Sequence, residues 1–376
     1  MPAPFLLHVT SSFEPGGAEV RTADLMGALG AEFRHAVVAF DGRTAVAARV
    51  PSEVGLRILP RPTGSGTLAT ALGFRDLFRT ERPNLVLTYN WGAIEAAMGA
   101  ALASVPFIHA EDGFGSDEAA GLKLRRVWTR RLVLARARRV VVPSRLLESI
   151  ALERYRVPRG KLLYIPNGID TRRFQPGPRA EARAALGLAD AGFTVGAVGG
   201  LRPEKGLDLL LEAFALFLRG PGGSPQARLL LVGAGPCAAQ LKRQAAELGI
   251  SFQVLFTGPV SDTSLYYRAF DVFCLSSLTE QMSLSLLEAM ASGVAAVCTD
   301  VGDCALMLGG TADAGILPRR DASTLAAAWE RLALDPALRE STGAANRRRC
   351  LELYSSDRMI ADYRALYREC AEPHAL

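Results

Sequence analysis

Two glutamates eight positions apart, Glu280 and Glu288, are the residues best placed to do chemistry in this chain. They lie in Ser277-Leu-Thr-Glu280-Gln-Met-Ser-Leu-Ser-Leu-Leu-Glu288-Ala-Met290. The preceding run, Asp271-Val-Phe-Cys-Leu275, reads as a buried strand, and Leu284, Leu287, Met290 and Ala291 then recur at helical spacing. Glu280 is therefore expected at the mouth of a strand and Glu288 in the first turns of the next helix. In an open α/β sheet that crevice is where ligands bind. Carboxylates there accept hydrogen bonds from sugar or ribose hydroxyls, while N–H groups at the helix start meet a phosphate. A polyhydroxylated nucleotide would use both. Two plainer readings stand beside this one: Ser285-Leu-Leu-Glu288 fits a capping box, and Glu280 could be solvated.

Three glycine-bearing turns follow strand-like runs. Ser11-Ser-Phe-Glu-Pro-Gly16-Gly17-Ala18-Glu19 lets the backbone approach a ligand with a helix N-terminus aimed at negative charge, or is a simple tight turn. It lacks the Gly-Lys-Ser/Thr ending of a P-loop. Val198-Gly199-Gly200-Leu201-Arg202-Pro203-Glu204-Lys205-Gly206 sets Arg202 and Lys205 where both could reach a diphosphate; otherwise it is a solvated turn. Gly233-Ala-Gly235-Pro-Cys-Ala238 matches G-x-G-x-x-A, but the next strand, Val254-Leu-Phe-Thr-Gly258, ends without the carboxylate that a dinucleotide site needs for its ribose. An NAD-linked oxidoreductase is discounted on that ground.

The elements that must hold these residues alternate from end to end. Strands are expected at Phe5–Thr10, His35–Phe40, Leu56–Pro60, Asn84–Tyr89, Phe107–Glu111, Arg139–Ser144 and Lys161–Pro166. Helices are expected between them, including Ala18–Leu29, Gly92–Ala103 and Ala119–Arg136. A turn-rich stretch from Pro166 to Pro178 reads as a linker. The pattern then restarts, with strands at Thr194–Gly199, Arg228–Gly233, Val254–Gly258, Val272–Ser276, Ala295–Asp300 and Gly315–Pro318, helices between them and three more after. The fold class is α/β with parallel sheets.

At 376 residues, 49% hydrophobic and 22% charged, the chain reads as a globular protein of two domains, or three. No apolar run suits a membrane span, and the N-terminal residues do not read as a signal peptide. The six cysteines form no CxxC pair and read as the reduced thiols of a cytosolic protein; the four histidines show no metal-ligand spacing. The net charge is +5, concentrated in Lys123, Arg125, Arg126, Arg130, Arg131, Arg136, Arg138 and Arg139, interleaved with Leu122, Leu124, Val127, Trp128, Leu132, Val133 and Leu134. Lys123–Arg139 is thus either a basic amphipathic segment for an anionic membrane surface or an ordinary solvated face. No nucleic-acid motif is present.

Taken in order, these pieces resemble the family 4 retaining glycosyltransferases (glycosyl transferases group 1) over nearly the whole chain. The resemblance rests on Gly16-Gly17-Ala18-Glu19, Pro166-Asn-Gly-Ile-Asp-Thr-Arg-Arg-Phe174, Arg202-Pro-Glu-Lys-Gly206, Val232-Gly-Ala-Gly-Pro236, Glu280 to Glu288 with Ala289-Met290, and Thr299-Asp-Val-Gly302. It implies the GT-B fold, two facing Rossmann-like domains around a central cleft. These would be an acceptor-binding domain over 1–170 and a nucleotide-sugar-binding domain over 171–355, with a helix over 356–376 returning to the first domain. It implies that Gly16 and Gly17 face the donor diphosphate and that Lys205 is its cation. Glu280 would bind donor-sugar hydroxyls with the backbone of Met282, Ser283 and Leu284 nearby, Glu288 would hold the ribose, and His109 would stand beside the transferred sugar. The chain departs at Gly200, where the family usually has arginine; either Arg202 substitutes or Lys205 acts alone.

The activity implied is transfer of a sugar, with retention, from a nucleotide diphosphate sugar (UDP or GDP) to a hydroxyl of a glycan or lipid-linked acceptor, in surface polysaccharide or lipid-linked glycan synthesis. The sequence holds no Asp-x-Asp, so neither metal nor other cofactor is expected, and the enzyme is expected in the cytoplasm, at most peripheral on the inner membrane face. A sugar-nucleotide epimerase on the same fold and a non-catalytic sugar-nucleotide-binding partner are the other readings.

Overall fold

Among the described residues thirteen short strands, most buried along their whole length, alternate with helices, as parallel sheets covered on both faces require. The computed structural model describes residues 3–113, 118, 121–189 and 192–372. These form two compact units, Met1–Asn167 with Asp357–Leu376, and Gly168–Ser356.

In the first unit the chain runs β1 (Phe5–Thr10), α1 (Gly17–Leu29), β2 (Arg34–Ala39), β3 (Arg57–Ile58), α2 (Thr67–Glu81), β4 (Leu85–Tyr89), α3 (Ile94–Ala103) and β5 (Phe107–Ala110). It continues through α4 (Leu124–Leu134), β6 (Arg139–Val142), α5 (Arg145–Glu153) and β7 (Leu162–Tyr164). The sheet order is β3-β2-β1-β4-β5-β6-β7, all parallel. Alternation sorts its side chains: Phe5, Leu7 and Val9 join one core, while Leu6 joins another on the opposite face.

The second unit contains α6 (Arg179–Ala185), β8 (Thr194–Val198), α7 (Leu207–Phe217), β9 (Arg228–Val232), α8 (Ala238–Glu247), β10 (Val254–Gly258) and α9 (Ser264–Ala269). Then come β11 (Val272–Leu275), α10 (Leu284–Ala291), β12 (Ala295–Thr299), α11 (Cys304–Leu308), α12 (Ala312–Gly315), β13 (Ile316–Leu317), α13 (Ala322–Leu334) and α14 (Pro336–Leu353). Its order, β10-β9-β8-β11-β12-β13, is also parallel. Leu229 and Leu231 pack on one face with Phe214 and Trp329, and Leu230 and Val232 on the other with Leu287 and Met290. The last helix, α15 (Ser356–Ala371), lies on the first unit, where Met359, Tyr363, Leu366 and Tyr367 share a core with Leu6, Leu25, Leu85 and Ile108.

Each sheet reverses its strand order once, between β1 and β4 and between β8 and β11. Connections leave such a point in opposite directions and open a crevice at the carboxyl ends of the strands. The turns holding Gly16 and Gly17, Arg202 and Lys205, and Glu280 all follow strands that flank these points.

Several elements differ from expectation. The stretch after Pro166 pairs Ile169 with Ser355 and is followed by the unexpected helix α6. The helix expected over 119–136 starts at Leu124 and ends at Leu134, with 119 and 120 outside the described residues, so Arg136 and Arg138 lie in the turn before β6 and Arg139 opens that strand. The G-x-G-x-x-A turn serves packing: a Cβ at Gly235 would stand 2.4 Å from the Leu201 carbonyl, because the turns after β8 and β9 are stacked through the Leu201 N–H to Ala234 carbonyl bond.

Candidate functional site

Lys205 and Glu280 meet at the reversal point of the second sheet. The Lys205 Nζ donates to Glu280 Oε1 at 2.5 Å, and the Ser277 hydroxyl donates to the same oxygen at 2.8 Å. The turns carrying them are stitched along their backbones. The Leu278 N–H donates to the Glu204 carbonyl (2.8 Å) and the Ser276 hydroxyl to the Lys205 carbonyl (2.8 Å). Gly206, at φ +57°, makes this approach possible, since a Cβ there would lie 2.5 Å from the Ser276 carbonyl. The end of β12 backs the Glu280 loop, with the Thr299 hydroxyl donating to the Ser277 carbonyl at 2.7 Å.

Helix α10 begins just beyond. Ser283 caps it, accepting from the Leu286 N–H at 3.3 Å. This corrects the capping-box reading of Ser285 and Glu288 and leaves Glu288 unused by the cap. Glu288 is half-buried, accepts from the Thr263 hydroxyl at 3.4 Å and lies beside the Tyr267 hydroxyl. Burial pushes its carboxyl up to about 7, against the opposing pull of Tyr267, Arg173 and Thr263. Met282 and Ser283 are buried and Leu284 is half-buried at the start of α10.

Arg202 is largely exposed, with its closest acid Glu204 at 3.8 Å. Its side chain folds over Gly200, so that a Cβ at that glycine would stand 3.0 Å from the Arg202 Nε. A side chain at 200 and this conformation of Arg202 compete for one space. Arg320, in the turn after β13, donates through Nε to the Ser276 carbonyl at 3.3 Å and adds a cation beside Gly206. Sequence reasoning missed Arg320, Thr263 and Tyr267, because only the sheet order and the packing of α9 bring them close.

In the first unit Gly16 caps α1, which starts at Gly17. The Glu19 carboxyl turns back over it, where a Cβ at Gly16 would stand 2.4 Å from Oε2. Burial pushes the Glu19 carboxyl up, opposed by its own backbone N–H. His109 is the last residue but one of β5. It is fully buried, Nδ1 2.8 Å from the Thr88 hydroxyl and Nε2 3.3 Å from Glu111 Oε2. Burial raises Glu111, but His109 and Arg130 outweigh it and hold the carboxyl below its usual range. Arg130 in turn is buried between Glu111 (2.9 Å) and Glu118 (3.3 Å). These contacts tie His109 to Glu111 and, through it, to Arg130. The residue that emerges after β5 is Asp112, gripped by Arg21 at 2.7 Å, with Arg21 also donating to Asn167 at 2.8 Å. Sequence reasoning missed this pair, because only the fold shows that Arg21 of α1 is buried against Asp112.

Residues 178–349 match the family model described as Glycosyl transferases group 1, and residues 15–173 that described as Glycosyltransferase Family 4. The D-inositol 3-phosphate glycosyltransferase of Nocardia farcinica is 38% identical over 178 residues, 45% of this chain and 39% of the relative. The lipopolysaccharide core biosynthesis mannosyltransferase LpsB of Rhizobium meliloti is 37% identical over 164 residues, 42% of this chain and 46% of the relative. The chain spans about half the length of the curated relatives it matches. Among solved structures, sucrose-phosphate synthase from Thermosynechococcus elongatus aligns with a TM-score of 0.80 at 23% identity, over 98% of this chain and 99% of that one. Anabaena HepE in complex with UDP-glucose aligns at 0.81 and 18%, over 97% and 99%. The two parallel sheets and these likenesses define the fold as GT-B. The chain belongs to the group 1 glycosyltransferases, of the family 4 type.

Among the described residues no helix is long and apolar enough to cross a membrane, and no group of three or more His, Cys, Asp or Glu could hold a metal ion.

Proposed function

We propose that the protein is a retaining glycosyltransferase that moves a sugar from a nucleotide diphosphate sugar to an acceptor hydroxyl. The observation that carries this reading is the Lys205–Glu280 contact at the sheet reversal, with Glu288 on the helix that follows. An ammonium has three donors, so Lys205 can keep Glu280 and still bind a phosphate oxygen. Among the described residues both bonds to Glu280 fall on Oε1, which leaves Oε2 to accept from a sugar hydroxyl. Glu288, with Thr263 beside it, is suited to hold two ribose hydroxyls. As the bond to the sugar breaks, negative charge grows on the diphosphate, and Lys205, Arg202 and the first N–H groups of α10 are the groups that would answer it. The acceptor's own proton would pass to the leaving phosphate, so this chain supplies no separate base.

Two further supports come from similar proteins. HepE has been solved with UDP and with UDP-glucose, and several curated relatives are named glycosyl- or mannosyltransferases. They favour a UDP- or GDP-sugar donor and a glycan or lipid-linked acceptor in surface polysaccharide or glycan assembly. That the transfer needs no metal or other cofactor is our reading of the missing Asp-x-Asp. We place the acceptor side at an anionic membrane face through α4. There Leu124, Trp128 and Leu132 form an exposed stripe at i, i+4, i+8 beside Lys123 and Arg125. This surface is narrower than the segment Lys123–Arg139, because Arg130 is buried and Arg139 pairs with Glu369 at 2.5 Å.

The test separates the two glutamates. Glu288→Gln should weaken binding of the bare nucleoside diphosphate about tenfold or more, as expected for a lost charge-assisted hydrogen bond. Glu280→Gln should spare that binding and lower turnover with the full donor. Equal losses of nucleotide affinity by calorimetry would refute the assignment, and a product formed without acceptor would replace transfer by epimerisation.

A further inference from the structure

The second unit carries a groove of about 770 Å³ lined at the amino-terminal ends of β11 and β12, through Asp271, Ser292, Gly293 and Ala295. Glu280 and Ser277 follow the carboxyl end of β11, so the groove lies a strand length away, about 13 Å or more. It is not the donor crevice.

Five arginines line it: Arg179, Arg268, Arg339, Arg347 and Arg348, from α6, α9 and α14. Three acids face them, Asp271, Glu340 and Glu352. Asp271 is already engaged, accepting from Arg179 (2.8 Å), Arg183 (2.5 Å) and the Thr194 N–H (2.8 Å). The lining therefore keeps an excess of positive charge. Among the described residues, two buried polar atoms of its lining side chains lack a hydrogen-bond partner. One is the hydroxyl of Ser292, a residue only 5% exposed, and the other is Nε of Arg339, 3.7 Å from Asp271. Buried polar groups are normally paired, and leaving one unpaired costs about 1–3 kcal/mol. A pair of unmet donors among guanidinium forks suits a phosphate, which accepts bidentate bonds from arginine. Leu351, 45% exposed, adds an apolar surface that can cover part of a small molecule, with Phe270 and Val294 packed behind the lining.

The groove touches the helix that bears Glu288 at two points. Arg347 donates to the Ala291 carbonyl at the end of α10 and to the Phe174 carbonyl at 3.2 Å. Tyr267, fully buried behind the groove lining, donates to the Ser285 carbonyl at 3.0 Å and stands beside Glu288. A ligand that draws Arg347 away acts on the carboxyl end of α10, and one that shifts Tyr267 acts on its start.

We propose that this groove binds a phosphorylated small molecule, a sugar phosphate or inorganic phosphate, and that its occupancy alters nucleotide binding through α10. The binding stands on the groove alone; the coupling rests on the reading that Glu288 holds the nucleotide. The probes are inorganic phosphate and a hexose 6-phosphate, with the free hexose and matched sodium chloride as controls, titrated calorimetrically into the full chain. Lys205→Ala removes the competing phosphate contact in the donor crevice. Arg268→Gln with Arg348→Gln, both lacking a buried carboxylate partner, removes groove cations with little risk to folding, checked by an unchanged melting temperature. The expected result is probe binding that survives Lys205→Ala and weakens at least tenfold in the arginine pair. No saturable binding up to 10 mM, or binding lost only with Lys205, would overturn the site. Preference for the hexose phosphate over phosphate names the sugar phosphate as ligand, and equal affinity names the free anion; both support the site. Saturating probe should also change nucleotide affinity about fivefold or more in the wild type and not in the arginine pair, and no change would overturn the coupling. If Glu288→Gln leaves nucleotide affinity intact, the donor reading fails while phosphate binding in the groove stands.

Discussion

Nucleotide affinity should rise with pH through neutrality, and Glu288 should be the cause. Burial pushes its carboxyl up to about 7, so the acid is half ionised near physiological pH. Only the carboxylate can accept from both ribose hydroxyls. The ionised fraction is about one tenth at pH 6 and about nine tenths at pH 8, so affinity should climb nearly tenfold over that span and then level off. The sign reverses for stability. A carboxyl raised in the folded state keeps its proton longer than in the unfolded chain, so its contribution is complete below about 4.5 and is lost as pH rises through about 7. Glu288→Gln should therefore melt higher than wild type at pH 8 and close to it at pH 5. The assay is calorimetric titration of the preferred nucleoside diphosphate from pH 5.5 to 8.5 into both proteins. The terminal phosphate also titrates near 6 in the free ligand, but it does so equally for both, and the ratio of affinities removes it. A ratio that stays constant across this range would refute the reasoning.

Arg202→Ala should lower kcat/KM by roughly a hundredfold, the scale for removing one donor to developing charge, with Arg202→Lys recovering only part. Gly200→Ala should reproduce some of that loss, since the new methyl must push the Arg202 stem aside; wild-type kinetics in both variants would show that Arg202 merely faces solvent. Single-turnover transfer should survive EDTA, and abolition rescued by Mg²⁺ or Mn²⁺ is the outcome that would falsify a metal-free site. Binding to anionic vesicles should weaken with salt and disappear when Leu124, Trp128 and Leu132 are all changed to Ser, while nucleotide binding persists. Indifference of the wild type to such vesicles at low salt would make α4 a solvated surface.

The two sheets were legible because parallel strands buried on both faces must be written as apolar runs, and each run falls within a residue or two of a strand. The last helix was legible from its spacing, and α6 was not, because two turns rich in Ala and Arg after a Pro-Gly stretch carry no apolar period. At the site, Glu288 could be placed on its helix from Leu284 and Leu287 alone. Its companion contact could not: Lys205 and Glu280 are brought to 2.5 Å only because β8 lies beside β11, which no local pattern states. The partners of His109 were illegible for a related reason: Thr88 stands on the neighbouring strand, and only the β4–β5 register brings its hydroxyl to the ring. Arg130 and Trp128, two positions apart on α4, likewise carry the same basic-amphipathic signal, yet one is buried and the other exposed.

The return of α15 to the first sheet gives the protein an order of assembly on the ribosome. Leu6, Leu85, Leu87 and Ile108 emerge early, but the side chains that cover them, Met359, Tyr363 and Leu366, are made only after the whole second unit. At about 5–20 residues per second that interval is roughly 10–40 s, during which an apolar sheet face stands open. The second unit, continuous from Gly168 to Ser356, can close meanwhile without waiting for anything downstream. A nascent chain paused before Asp357 is thus uneven, with its second unit closed and its first a client for chaperones until α15 is made.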